Sequence, residues 1–372
     1  MIESRVKGPR SPLVLVNGRF LSQALSGVQR HALEMTRALV AGGYDVVLAA
    51  PPDARIPDEL VPFACRIGRL RGQAWEQRDL ASFAGSHGAP LWSPGNTGPV
   101  RVKRQLVTLH DLFPYRFPDF HSRAFRIWYR SLHRALVLRG VRFAAVSQYT
   151  RDEIVSLLGV TPERVAIVPG GVTPEFRPIA KPVADRTALR LGLPPRFVMT
   201  LAAASRRKNL ERLVDAWQLV RVRDQGIELV LAGGTVDRRL SRYALPDRAW
   251  LAGRGVRAVE HIPEADLPAV YNAATALAMP SLAEGFGLPA LEALCCGTPV
   301  VVSANSALVE TFGQLGASLV DPYDVRSIAD GIMRVLGSPS VYRPADPAAI
   351  ARQHAWSESA GRLIAALDAF DR

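Results

Sequence analysis

Two glutamates, Glu284 and Glu292, bracket a glycine-rich turn in the run PSLAEGFGLPALEALCCGTPVVV, residues 280–302. An apolar run precedes the turn, and a helix-compatible run with Pro289 near its first position follows it, so the segment reads as strand, turn and helix start. A helix N-terminus beside glycines offers unspent backbone N–H groups and the positive end of the helix dipole, and together these receive anions. The two carboxylates stand eight positions apart, about 12 Å along a helix, so they address different parts of one long ligand. An ionised carboxylate accepts paired hydrogen bonds from vicinal hydroxyls, which sugars and ribose carry. One glutamate for a sugar and one for a ribose is the sharper reading; a first-turn glutamate that only complements the dipole is the plainer one.

A second cluster, Arg206, Arg207 and Lys208 in SRRKNLERLVDAW (205–217), follows the apolar run 197–203 and opens an amphipathic helix. Cations at a strand's C-terminal end, beside a helix start, are placed to neutralise a diphosphate; the same residues also make an ordinary solvated surface. In the first half, NGRFLSQALSGVQRHALEM (17–35) runs from strand through loop to helix, with Gly27 opening the helix and letting backbone approach a phosphate closely. This stretch lacks G-x-G-x-x-G and an acidic residue placed for a dinucleotide ribose, which disfavours a nicotinamide cofactor. His110, in LVTLHDLFPYRF, ends a strand at the edge where open α/β sheets bind ligands. Its neighbour Asp111 either orients the imidazole, acts on an acceptor, or caps a turn. The stretch 121–140 interleaves Arg123, Arg126, Arg130 and Arg134 with Phe125, Ile127, Trp128 and Tyr129. It suits an anionic lipid surface or, equally, a packed helix with a charged outer face.

The frame for these groups is visible in the hydropathy. Short apolar runs alternate with amphipathic stretches: 13–16, a helix over 28–41, 45–50, 105–110, a helix over 122–138, 143–147 and 165–169, then a second series from 197 through helices over 210–220 and 290–296 to 299–304. Such alternation predicts two doubly wound parallel sheets, as a chain of 372 residues accommodates. The aperiodic, Pro- and Gly-rich stretch 169–186 reads as the connection. The expected division is 1–180, 181–345 and a terminal helical segment 346–372, with Ala348–Phe370 patterned as one helix and Trp356, Leu363, Ile364 and Leu367 on its apolar face.

Composition narrows the class. A hydrophobic share of 48% against 22% charged residues is that of a folded globular chain. The net charge of +12 falls mostly in the first half, where residues 1–185 hold 25 Lys and Arg against 15 Asp and Glu, a balance that suits a phosphate-rich partner or merely reflects an arginine-rich surface. The start, MIESRVKGPRSP, does not resemble a secretory leader, and no apolar stretch is long enough to span a bilayer. Cys65, Cys295 and Cys296 do not make a disulfide framework, so a cytoplasmic setting is expected. D-x-D, H-E-x-x-H, C-x-x-C and the P-loop pattern are absent. No metal site is therefore expected, and the charge of a leaving group falls to cations and dipoles.

EGFGLPALE resembles the E-x7-E motif of the retaining GT-B glycosyltransferases of glycosyltransferase family 4, also termed glycosyl transferases group 1, and ALCCGTPVVVSANSALVE continues that family's run. The resemblance implies an α/β GT-B architecture: two Rossmann-like domains facing a cleft, with a C-terminal helix crossing back to the first. By it, Glu292 binds the ribose, Glu284 lies at the reacting face of the donor sugar, and Gly285 with the backbone of Phe286, Gly287 and Leu288 holds sugar hydroxyls. SRRKN resembles the family's R-K-N segment, so Lys208 and Arg207 stabilise the departing diphosphate. Ala202 and Ala203 stand where many members carry a further arginine, whose place Arg206 or Arg207 would take. SGVQR resembles the donor-facing loop that holds Gly27, and His110 the family's cleft histidine. The implied reaction is metal- and cofactor-independent transfer of a hexose, mannose from GDP-mannose favoured, to a saccharide or polyprenyl-diphosphate-linked acceptor in surface polysaccharide synthesis, with peripheral contact at the inner membrane face and no nucleic acid partner. The competing readings are an epimerase or phosphorylase on the same fold, and a basic nucleic-acid-binding protein.

Overall fold

A computed structural model describes residues 13–201, 205–233, 248–259 and 261–370. It divides into two compact units: Met1–Gly171 with Trp356–Arg372, and Val172–Ala355. The first break thus falls after Gly171 where the sequence placed it near 180, and the segment that returns to the first unit begins at Trp356 where the sequence placed it at 346.

In the first unit, β1 (Val14–Asn17), β2 (Val46–Ala50), β3 (Ala64–Arg66), β4 (Leu91–Ser93), β5 (Gln105–Leu109), β6 (Arg142–Ala145) and β7 (Val165–Ile167) form one sheet in the order β3-β2-β1-β4-β5-β6-β7. In the second, β8 (Phe197–Leu201), β9 (Glu228–Ala232), β10 (Val256–Val259), β11 (Ala276–Met279), β12 (Val300–Ser303) and β13 (Ser318–Val320) order as β10-β9-β8-β11-β12-β13. Every named pairing is parallel. Such strands are covered on both faces and read as unbroken apolar runs; β1, β5, β11 and β12 are buried along their whole length. Each sheet has one place where the chain order reverses, between β1 and β4 and between β8 and β11. Ligands of open α/β sheets bind outside the strand C-termini at such places.

The expected single helix over Ala348–Phe370 is two, Pro347–Gln353 and Trp356–Asp368. The backbone N–H of Val172 donates to the carbonyl of His354 at 2.8 Å, and Val172 bridges Ala355 in parallel. A tertiary partner thus takes a carbonyl that a continuous helix would need, and the helix stops there. No helix among the described residues is long and apolar enough to cross a membrane.

Candidate active site

The reversal point of the second sheet brings two of the sequence-selected segments together. After β8, the 3-10 turn Arg206–Lys208 ends at Asn209, which is buried in the left-handed conformation (φ 57°). After β11 comes the turn Pro280–Gly287 and then the helix Leu288–Cys295, which starts earlier than the apolar pattern indicated. Asn209 Nδ2 donates to the carbonyls of Pro280 (2.9 Å) and Pro322 (2.6 Å), and the N–H of Leu282 donates to the carbonyl of Arg207 (2.8 Å). These bonds fix the cationic turn against the acidic one. Asn209→Ala removes two hydrogen bonds to buried carbonyls and leaves a β-carbon residue with φ above zero, so unfolding free energy should fall by about 2–3 kcal/mol in a denaturant titration. An unchanged midpoint would remove Asn209 from this role.

Glu284 is 8% exposed and faces both cations: Arg207 Nη1 donates to its Oε2, and Lys208 Nζ to its Oε1 at 2.8 Å. Burial raises its carboxyl pKa, but Arg207 and then Lys208 outweigh burial and hold the group down at about 2. The N–H of Glu284 donates to Ser306 Oγ at 3.1 Å, and its carbonyl accepts from Ala307. Gly287 needs its φ of 102°, and a β-carbon there would lie 2.7 Å from Leu308 and 2.8 Å from Phe312, so only glycine lets the turn pass this close to the helix Ser306–Phe312. Among the described residues, the N–H groups of Phe286, Gly287 and Leu288 make no backbone hydrogen bond, which leaves a row of donors at a helix start. Glu292, one turn further on, is buried, and its Oε2 accepts from the hydroxyl of buried Tyr271 at 3.1 Å. Arg206 is exposed. The positions Ala202 and Ala203, where the family's additional arginine would stand, lie outside the described residues.

His110 and Gly27 belong to the first unit. Gly27 is exposed at the start of the helix Gly27–Ala41, and a β-carbon on it would touch nothing. The His110 backbone N–H donates to Asn96 Oδ1 at 2.7 Å, and its Nε2 lies 2.8 Å from the carbonyl of Pro94. A carbonyl only accepts, so Nε2 carries the proton and Nδ1 is left as an acceptor. Asp111 does not orient the ring: its Oδ1 accepts the N–H of Phe113 and caps a turn. Burial lowers the His110 pKa more than Pro94 and Asp111 raise it. The imidazole is therefore neutral at physiological pH, and protonation costs stability as pH falls below the ordinary histidine value of 6.5. An NMR titration should place the His110 inflection below 6.5; an inflection above it would overturn the neutral assignment.

Several contributors carry no motif. His31, buried on the helix Gly27–Ala41, meets the His110 ring edge-on at 4.7 Å and Trp356 at 5.3 Å. At the reversal point of the first sheet, buried Glu76 accepts from Asn17 Nδ2 (2.7 Å), Arg19 Nε (3.0 Å) and Thr97 Oγ1 (3.0 Å). Glu76 sits in a π-helical turn, Trp75–Leu80, an irregularity frequent at functional sites. The strand-ending polar run Asn17–Arg19 was the available signal. Tyr271 and Ser306 gave none.

The chain is 30% identical over 311 residues to O-antigen chain mannosyltransferase B of Escherichia coli, covering 81% of this chain and 78% of that protein. A family model described as Glycosyltransferase Family 4 matches residues 25–176, and one described as Glycosyl transferases group 1 matches 184–354. The chain belongs to glycosyltransferase family 4. This family 4 enzyme is also 30% identical over 274 residues to the serotype-specific mannosyltransferase WbdA of E. coli, of whose length that match covers 33%. Among solved structures, a sucrose-phosphate synthase from Thermosynechococcus elongatus aligns with TM-score 0.76 at 21% identity, over 97% of this chain and 100% of that one. Anabaena Alr3699/HepE in complex with UDP and glucose aligns with TM-score 0.74 at 16% identity, over 96% and 98%. The family 4 enzyme thus has the two-sheet α/β fold of the GT-B glycosyltransferases.

Proposed function

We propose that this glycosyltransferase moves a hexose, mannose in the first place, from a nucleotide-diphosphate sugar to a saccharide acceptor with retention of configuration and without a metal. The observation that carries the proposal is the pairing of Arg207 and Lys208 with Glu284 beside a helix start at the sheet's reversal point. A diphosphate exchanged onto these two cations would leave along their charge, and the N–H groups of Phe286, Gly287 and Leu288 would take the oxygens of the donor. Released from the cations, Glu284 would turn to the sugar, while Glu292 would take the ribose in place of, or together with, the Tyr271 hydroxyl. The choice of mannose rests on the names of the relatives, O-antigen chain mannosyltransferase B and WbdA. The same names support surface polysaccharide synthesis.

The helix Arg123–Leu138 supports an acceptor carried on a lipid. Its outer face exposes Phe125, Ile127, Trp128 and Leu138 among arginines, and a cavity of about 540 Å³ beside it is lined by Arg130, Arg134, Val137, Leu138 and Leu157. Apolar walls with guanidinium groups match a lipid phosphate.

A thermal-shift panel of GDP-mannose, UDP-glucose and other nucleotide sugars tests the donor. A true donor at a hundred times its dissociation constant stabilises by about 2.7 kcal/mol, and transfer should yield an α-linkage by NMR at a rate unchanged by EDTA. A shift with UDP-glucose and none with GDP-mannose would defeat the choice of mannose, and loss of rate on chelation would defeat the metal-free mechanism.

A further inference from the structure

A second cationic cavity lies at the opposite edge of the first sheet from His110. Its volume is about 560 Å³, and its lining includes Lys103, Arg104, Arg142, Arg164, Ala369 and Phe370. Lys103 and Arg104 precede β5, Arg142 opens β6, and Arg164 precedes β7, so four cations gather at the N-terminal strand edge. His110 follows the other end of β5, about 16 Å away along a five-residue strand. One carboxylate residue, Glu163, joins the lining. Arg142 and Arg164 spend hydrogen bonds on carbonyls: Arg142 Nη1 on Ala369 (2.6 Å), Arg164 Nη2 on Val141 (2.6 Å) and Val137 (3.2 Å). Burial, and after it the neighbouring Arg142 charge, lowers the Arg164 pKa.

We infer that this cavity is an anion site, separate from the Lys208 region, that takes a soluble diphosphate-bearing ligand. Backbone carbonyls fix Arg142 and Arg164 in place without cancelling their charge, so a multiply charged anion gains from groups already ordered. The size is generous for a single phosphate. A lipid is disfavoured because the large apolar side chain of the lining, Phe370, already lies under the Arg142 guanidinium at 5.5 Å.

Occupation has a structural consequence. Ala369 and Phe370 follow directly on the helix Trp356–Asp368, whose first residue packs on His31, and His31 on His110. A ligand that pins the end of this helix tightens the element against which the His31–His110 pair rests.

Calorimetric titration of the full chain with inorganic pyrophosphate, repeated in the Lys208→Ala variant to weaken the Lys208 region, tests the inference. One remaining site is expected, weakened at least tenfold by Lys103→Gln and by Arg142→Gln and unaffected by Lys208→Ala, with added hydrogen-exchange protection over residues 363–370. Lys103 is exposed, so its variant folds even if Arg142→Gln does not. Absence of a remaining site, equal binding by the Lys103→Gln variant, or the same heats from sodium chloride at matched ionic strength would overturn the inference. If Lys208→Ala removes no pyrophosphate binding at all, the Lys208 region loses its diphosphate role, and the Lys103 comparison still decides this one.

Discussion

Glu284→Gln should cripple transfer while leaving nucleoside diphosphate binding at least as tight, and it should make the ligand-free protein less stable. The carboxylate lies between Arg207 and Lys208, whose side chains are 22% and 14% exposed against 9% for its own. Removing one partner of a mostly buried ion pair leaves the other charge uncompensated, at a cost of about 3 kcal/mol at the lower end of the range for buried pairs. A nucleoside diphosphate restores negative charge to the same two cations, so it should raise the melting temperature of the variant by more than that of the parent. Turnover should fall by a factor on the order of 10²–10³ or more, because the group proposed to meet the sugar is lost. Parallel loss of diphosphate binding and turnover would instead make Glu284 only a clamp for the cationic turn. The effect should not depend on pH between 5 and 9. A carboxyl lowered from 4.5 to about 2 contributes its stability fully above the higher value and loses it only as pH falls through the lower one.

The sheets were legible because parallel strands buried on both faces, such as Gln105–Leu109 and Val300–Ser303, leave continuous apolar runs in the sequence. The division between units was legible to within some ten residues: the stretch after Gly171 has no periodicity, and its pairing with His354 and Ala355 is a tertiary contact that local pattern cannot encode. That same contact breaks the terminal helix. In the site, residue types and spacing singled out Glu284, Arg207 and Lys208, because charges beside glycines and a helix start have a chemical reading on their own. Their mutual pairing was not legible, since it depends on β8 and β11 being neighbours across a reversal of strand order. Asn209 is the instructive omission. It directly follows the cations and takes a left-handed conformation that asparagine tolerates, yet only the fold reveals that its amide ties three loops. Tyr271 and His31 are single residues on ordinary helices, and nothing local distinguishes them from packing.

Lys208→Ala is expected to lower kcat about a hundredfold, near 3 kcal/mol of transition-state stabilisation, at saturating donor. Lys208 Nζ is 2.8 Å from Glu284 Oε1 and mostly buried, so its charge acts in a medium that screens it less than water does. The negative charge on a departing diphosphate grows as the glycosidic bond stretches, so in the proposed reaction a cation here would favour the transition state over the bound donor, and its loss would appear in kcat more than in KM. Arg207, which also bonds the carbonyl of Ala283, remains to hold part of that charge, and Lys208→Arg should recover part of the rate. The pairing with Glu284 makes the two deletions interdependent. Once Glu284→Gln has unmade the triad, removing Lys208 takes away a cation that no longer has its internal partner, and the double variant should be more stable than the sum of the single effects predicts. Steady-state kinetics and thermal melts of the four proteins read both couplings. Undiminished transfer by Lys208→Ala at saturating donor, or strict additivity in stability, would mean that the contact between these residues does not organise the site.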